Sequence, residues 1–144
     1  MIGSKKLLDN FNQSKAGHPF SYYSDRCVYL DFRGNLSIHP STDWGYEVLV
    51  LTCSHNISDG AFGKPVKRAV IVKEGAWICS RAILYNCIIG EGAIVACGAV
   101  VQNVEVPPHT IVEGNPARIV KVFEDGAWKR MEKGSDCELQ RLRV

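Results

Sequence analysis

Between Val72 and Val106 the chain repeats itself about every six residues. Aligned from Val72, the units read VKEGAW, ICSRAI, LYNCI, IGEGAI, VACGAV and VQNVEV. Each opens on an aliphatic residue: Val72, Ile78, Leu84, Ile89, Val95, Val101. The fifth place is usually small (Ala76, Ala82, Ala93, Ala99), with Ile88 and Glu105 as exceptions. The third unit is one residue short, so the frame slips once and recovers. A period of six fits neither the helical 3.6 nor the plain alternation of one long strand. It suits a short strand followed by a tight corner, three of which close a triangular coil. The opening aliphatic then points into the prism, and the fifth side chain stays small where the interior is crowded. Gly90, Gly92 and Gly98 fall at or near corners, where positive backbone angles cost glycine little. A sheet of valine-rich parallel strands would instead need crossovers of about a dozen residues, and nothing between 70 and 120 supplies them. The expected fold is an all-β parallel β-helix of a few triangular coils, with short terminal helices.

A chain of 144 residues makes one domain, with room for a terminal appendage. A formal charge of +2 is too mild for a nucleic-acid binder. The N-terminus, MIGSKKLLDNFNQ, has only a two-leucine apolar stretch, too short for a signal-peptide core, and no stretch approaches membrane length. Neither nucleic acid nor membrane insertion is therefore expected. The six cysteines, at 27, 53, 79, 87, 97 and 137, form no CxxC pair and no zinc spacing. No metal is expected, and reduced cytoplasmic thiols are the natural reading.

Residues 1–27 read as a lead-in, with a short helix over 4–13 presenting Leu7, Leu8 and Phe11 on one face. Residues 28–122 read as the coil domain, its first coils blurred but present in VYLDFR, LSIHPS, TDWGYE and VLVLTC. Within it, 55–69 (HNISDGAFGKPVKRA) is polar, glycine-bearing and aperiodic, an excursion loop that leaves the prism and rejoins it near Val70. PPHTIVEGNPARIVKV makes the last turns, and the charged tail, 123–144, is expected to hold one or two short helices covering the open end. A flat prism face also suits self-association.

Of the histidines at 18, 39, 55 and 109, His55 stands out by position, closing the apolar strand VLVLTCS at the mouth of the excursion. A base at a rigid strand end beside a loop is held in place yet open to substrate. Imidazole is suited to take a hydroxyl proton near neutral pH. A turn histidine bonded to backbone fits the position equally well. His39 before Pro40 and His109 after Pro108 read as turn residues. Cys53 lies two residues before His55, on the same strand face by alternation, and offers a rival nucleophile. It reads better as a packing residue.

The repeat, Pro107-Pro108, and the sequence Gly114-Asn115-Pro116-Ala117-Arg118 together resemble the hexapeptide-repeat acyltransferases, which have a left-handed parallel β-helix. Within them the likeness is to the maltose/galactoside and polysaccharide O-acetyltransferase branch, over roughly residues 34 to 122. Ile38-His39-Pro40 and VPPHTIVEGNPARIV are similar to serine acetyltransferases as well, but the paired acid of that family would fall at Ser37, which ranks it lower. The resemblance implies acetyl-CoA as co-substrate, a saccharide or other small-molecule acceptor, and a homotrimer with active sites between subunits. It implies His55 as general base in a direct transfer, with Asp43, Glu47 and Asp59 as available orienting carboxylates. It places Trp77 against the acceptor and the pantetheine arm, with the polar loop residues Asn56 and Asp59 also facing the acceptor. For CoA it implies main-chain contacts at Ser80 and Cys97, a turn shaped by Gly114 and Asn115, and phosphate contacts at Arg118 and Lys121. Where the family often carries Thr-Lys-Asp, this chain has Gln102-Asn103-Val104-Glu105-Val106, one residue longer and without the lysine. Gln102 and Asn103 take its place, and Lys64, Lys67 and Arg68 offer nearby positive charge.

Three other functions compete. A serine or amino-group acetyltransferase would keep the same donor. A γ-class carbonic anhydrase shares the coil but pairs two histidines five residues apart, and none are so spaced here. A non-catalytic scaffold would have no use for the His55 excursion or the Gly-Asn-Pro-Ala-Arg turn.

Overall fold

In the computed structural model the described residues are 2–3, 21–23, 26–58, 60–132 and 135–142, and every regular element among them is a strand. Two short strands, β1 (Ile2–Gly3) and β2 (Ser21–Tyr23), precede the coils. The first coil is β3 (Tyr29–Asp31), β4 (Asn35–Ile38) and β5 (Asp43–Trp44). The second opens with β6 (Leu49–Leu51), departs into a hairpin of β7 (Cys53–His55) and β8 (Pro65–Lys67), then resumes with β9 (Ala69–Val72) and β10 (Trp77–Ile78). The third is β11 (Ile83–Tyr85), β12 (Cys87–Ile89) and β13 (Ile94–Val95). The fourth is β14 (Val100–Gln102), β15 (Val104–Val106) and β16 (Thr110–Glu113). After it come β17 (Arg118–Glu124), β18 (Ala127–Arg130) and β19 (Gln140–Arg141). Successive coils pair in parallel on three faces, ordered β5-β10-β13-β16, β3-β6-β11-β14 and β4-β9-β12-β15. The fold is the left-handed parallel β-helix.

Register refines the period. Trp77 pairs with Ile94 and Ile94 with Ile111, Leu84 with Val101, and Ile88 with Glu105. From β9 onward each coil thus advances seventeen residues, one fewer than three full units of six. The saving recurs at one corner, where Asn86 alone separates β11 from β12 and Asn103 alone separates β14 from β15. Both asparagines have positive φ, 44° and 57°, and Asn86 Nδ2 donates to Asn103 Oδ1 at 2.8 Å. The short unit read in the sequence is therefore a repeated corner rather than a single lesion. It also accounts for Ile88 and Glu105. With one corner residue removed they fall on outward positions of β12 and β15, paired side by side and half-buried.

The six opening aliphatics are at most 2 % exposed and the four alanines at most 1 %, so both predicted sets line the prism. Trp44, Leu30, Val48 and Val50 extend the same core into the first two coils. Gly92 and Gly98 have φ of 61° and 71°, as a tight corner requires. Gly90 serves differently. A Cβ there would lie 2.5 Å from Pro108 N and 2.7 Å from Val106 O, so its missing side chain admits the next coil.

Both ends of the prism are closed by antiparallel strands, β1 on β5 and β2 on β3 at one end, β17 on β16 and β19 on β15 at the other. Free parallel edges would otherwise template association. This corrects the expectation of helices in the C-terminal tail. The parallel coils stop at Glu113, short of 122, and the described part of the tail is extended. The reason is Asp125-Gly126, with φ of 52° and 75°, which makes a two-residue hairpin turn between Glu124 and Ala127. Phe123 and Trp128 pair across that hairpin, ring centroids 5.2 Å apart. The helix expected over 4–13 lies outside the described residues, whereas 21–23 of the expected irregular lead-in is strand.

If the interior packs as described, Leu84→Ala should cost about 2–5 kcal/mol, read as a lower urea midpoint at unchanged slope. Ile88→Ala, at a half-buried outward site, should cost markedly less.

Candidate functional site

The excursion is a hairpin that begins earlier than the expected 55. Cys53 pairs with Lys67, Ser54 with Val66 and His55 with Pro65. Its root is clamped to the first coil. Thr52 O accepts from Arg68 N at 2.7 Å, and Arg68 O accepts from Asn35 N at 3.0 Å. Gly34 N donates to Thr52 Oγ1 at 2.8 Å, and Thr52 Oγ1 donates to Asp31 O at 2.8 Å. Gly34 is needed for this approach, since a Cβ would lie 2.3 Å from Thr52 O and 2.5 Å from Arg68 O. Asp31 is fully buried and accepts from Thr52 N at 3.0 Å, while Arg33 grips both its oxygens through Nε at 2.8 Å and Nη2 at 3.0 Å. Burial alone would raise the Asp31 pKa. The Arg33 guanidinium and the backbone N–H groups of Thr52 and Arg33 outweigh it and hold the carboxyl below its ordinary value.

At the tip, Asn56 N donates to Lys64 O at 2.9 Å and Gly63 N to Asn56 O at 2.8 Å. Asn56 Oδ1 accepts from Ser58 N at 2.8 Å, a turn-forming contact typical of asparagine. Gly63 leaves no room for a side chain, because a Cβ would lie 2.5 Å from Asn56 O. The turn aims the Gly63 carbonyl at His55, whose Nδ1 lies 2.8 Å from it. A carbonyl oxygen only accepts, so Nδ1 carries a hydrogen, and in the neutral ring Nε2 holds the lone pair. Phe62 stacks on the imidazole, centroids 3.8 Å apart at 28°. His55 is thus fixed in orientation and tautomer, with the basic nitrogen pointing away from the turn.

A main-chain carbonyl therefore orients His55 Nδ1, and the described carboxylates considered for that role are placed elsewhere. Asp43 lies on β5, Glu47 is bonded to Arg81 at 2.6 Å, and Asp59 lies outside the described residues. Cys53 Sγ is 3.6 Å from Ser54 O, and among the described residues it makes no hydrogen bond to His55. His39 and His109 are turn residues. Ser41 N donates to His39 Nδ1 at 3.2 Å, and His109 sits at a corner with φ of 53°, its ring over Gly92. His18 lies outside the described residues. Trp77 faces outward from β10, 40 % exposed, on a different face from the corner that launches the hairpin.

Of the residues considered for CoA, Gln102, Asn103, Asn115 and Arg118 line one groove of about 240 Å³ at the end of the prism, together with Glu138 and Arg141. Arg118 Nη1 is 3.1 Å from Glu138 Oε1, both side chains being more than half exposed. Arg141, on β19, has no ion pair among the described residues and was not singled out by motif. Only the antiparallel pairing of β19 with β15 brings it beside Asn103. Ser80, Cys97 and Gly114 succeed one another at seventeen-residue intervals along a neighbouring corner and, like Lys121 on β17, do not line the groove. Ser80 Oγ instead accepts from Tyr46 N at 2.9 Å, and Ser80 O from Gly98 N at 3.0 Å. Among the described residues no group of three His, Cys, Asp or Glu is placed to hold a metal ion, and no helix is long and apolar enough to cross a membrane.

Comparison with known proteins follows the same lines. Serine acetyltransferase 2 of Arabidopsis thaliana is 40 % identical over 100 residues, covering 68 % of this chain and 30 % of the plant protein. A maltose O-acetyltransferase from Clostridium difficile 630 superposes with a TM-score of 0.58 at 26 % identity, over 62 % of this chain and 49 % of that one. A hexapeptide-repeat acetyltransferase from Vibrio cholerae, solved with acetyl coenzyme A, superposes with a TM-score of 0.52 at 24 % identity, over 63 % and 55 %. The chain spans less than two thirds of the length of each. No family model matches it.

Asp31 offers a test of the hairpin root. Its folded-state pKa is lowered, so its contribution is present above the ordinary carboxylate range of about 4 and is lost as the pH falls through the folded value. Asp31→Asn should cost about 1–3 kcal/mol at pH 7, seen as a lower thermal midpoint. The gap to the parent chain should close between about pH 5 and pH 2, and a pH-independent gap would count against an ionic clamp.

Proposed function

We propose that this chain, a member of the hexapeptide-repeat acyltransferase family, is an acetyl-CoA-dependent O-acetyltransferase acting on a hydroxyl of a sugar or polysaccharide precursor. The observation that carries the reading is the His55 Nδ1 contact with Gly63 O, which leaves Nε2 as a free, oriented base. In a direct transfer, Nε2 takes the proton of the acceptor hydroxyl as its oxygen attacks the thioester carbonyl. The tetrahedral intermediate then expels the CoA thiolate, which recovers a proton from the imidazolium. No acyl-enzyme is required, consistent with a Cys53 that is turned to a backbone carbonyl.

The groove at Gln102, Asn103, Asn115 and Arg118 suits the polar end of CoA. Its two arginines outnumber its one carboxylate. The exposed Arg118–Glu138 pair is worth at most about 1 kcal/mol, so a phosphate can replace Glu138 cheaply. The groove and the hairpin lie along one edge of the prism, joined by the Asn86–Asn103 pair, which suits a long extended arm running between them. Ser80, Cys97, Gly114 and Lys121 would then contact the donor from the neighbouring corner, and Trp77 the acceptor, once subunits meet. Ile57 and Phe62, 73 % and 81 % exposed at the hairpin tip, support a homotrimer in which each tip packs on the next copy. Asn56, through its amide nitrogen, and Asp59 would face the acceptor there. Six free thiols favour a reducing, cytoplasmic setting. The plant relative supports a second reading, in which the hydroxyl belongs to serine.

Acetyl-CoA turnover against free sugars, sugar nucleotides and serine tests this directly. His55→Ala should lower kcat by about 10²–10⁴ with little change in KM for acetyl-CoA, while Cys53→Ala should stay near the parent rate. Undiminished activity of His55→Ala would remove it as the base, and absence of CoA binding would sink the whole reading. A stable monomer by sedimentation would count against shared sites.

A further inference from the structure

We propose that the root of the β7–β8 hairpin binds an anionic group of the acceptor, so that the preferred substrate is a hydroxyl compound carrying a phosphate or carboxylate. This rests on the acetyl-transfer reading and narrows its substrate class. Arg33, Lys67 and Arg68 line one open pocket together with Asn35 and Asn86. The carboxylate beside them is Asp31, and its oxygens are already occupied by Arg33 and Thr52. Lys67 and Arg68 have no ion pair among the described residues, which leaves two uncompensated positive charges.

Arg68 supplies the sharper observation. Its Nε is buried and has no hydrogen-bond partner among the described residues. A buried donor left unpaired costs about 1–3 kcal/mol, more when charged, so native structures rarely leave one without a purpose. Its backbone is pinned on both sides, by Thr52 O and by Asn35 N, and Gly34 fits the first coil closely against it. The guanidinium is thus presented from a fixed base, as recognition of a planar carboxylate or a phosphate requires.

Lys67, on the rim of the pocket, also faces the right way. Opposed residues of an antiparallel pair share a face and alternate residues repeat it, so Cys53, His55, Pro65 and Lys67 lie on one face of the hairpin. Lys67 opposes Cys53, which places it two residues, about 7 Å, from His55 along the strand. An acceptor with its hydroxyl at His55 Nε2 would therefore lay a substituent several bonds away into the cationic pocket. A neutral sugar would leave that charge unanswered.

The test compares wild type, Arg68→Gln and Lys67→Gln in two assays. In the first, inorganic phosphate is titrated into acetyl-CoA-free protein and binding is read by thermal shift. Each variant should weaken it by about tenfold or more, the loss of one charge-assisted contact. In the second, glucose 6-phosphate and glycerol 3-phosphate are compared with glucose and glycerol under acetyl-CoA turnover. Wild type should prefer the phosphorylated member of a pair, and the variants should lose that preference through a raised KM for it. Equal use of charged and neutral acceptors by wild type, or phosphate binding unchanged in both variants, would overturn the proposal. So would a change of solution mass in Arg68→Gln, which would mean that a carboxylate of a second copy is the partner. Phosphate binding that depends on Arg68, without turnover of any acceptor, would instead retain the anion site and defeat the acetyl-transfer reading.

Discussion

A coil of seventeen residues that must turn three corners is the constraint on which this structure depends. From Glu47 to His109 every corner except the one that holds the hairpin is turned by a residue in the left-handed region, and these residues stack. Gly75, Gly92 and His109 form one column, Glu47, Arg81 and Gly98 another, and Asn86 and Asn103 the third. Side chains in that conformation cost about 1–2 kcal/mol where glycine and asparagine cost less, so the non-glycine corners carry compensating contacts. Glu47 accepts from Arg81 of the next coil, and Asn86 donates to Asn103. The His109 ring fills the space over Gly92, where a Cβ would come within 2.6 Å of its Nδ1.

The same geometry explains where the hairpin can be inserted. At the corner that takes a single asparagine in the next two coils, the chain leaves after Leu51 and resumes at Ala69 without loss of register. Leu51 pairs with Tyr85, and Val70 with Cys87, as though nothing had intervened. Closure entropy grows slowly with loop length, and the Asp31–Arg33–Thr52 clamp ties the root to the coil before it. The His55 imidazole inherits that rigidity through two backbone steps and is then locked by Gly63 and Phe62. Precise placement of a base on an excursion thus depends on buried groups two strands away.

Much of this was legible in the residues. Alternation and period placed the prism, its inward aliphatics and its small fifth positions, because those choices are dictated by local spacing and interior volume. The excursion was visible as a failure of the period, and His55 as the residue at its mouth. Asp125-Gly126 is a hairpin-turn signal that the expectation of helices in the charged tail passed over. A two-residue turn with two positive φ angles decides the matter for strands. Its flanking charges gave no period of their own to correct the reading.

What the sequence determined by itself was the repeating unit, since six-residue spacing, small fifth residues and corner glycines act within a few neighbours. Only the tertiary structure decided what the interruptions do. A carbonyl eight residues from His55 orients it, Asp31 and Arg33 brace a hairpin that starts twenty residues later, and β19 carries Arg141 back to Asn103. These contacts join residues far apart in the chain through backbone atoms, which every residue possesses. Side-chain pattern therefore could not announce them.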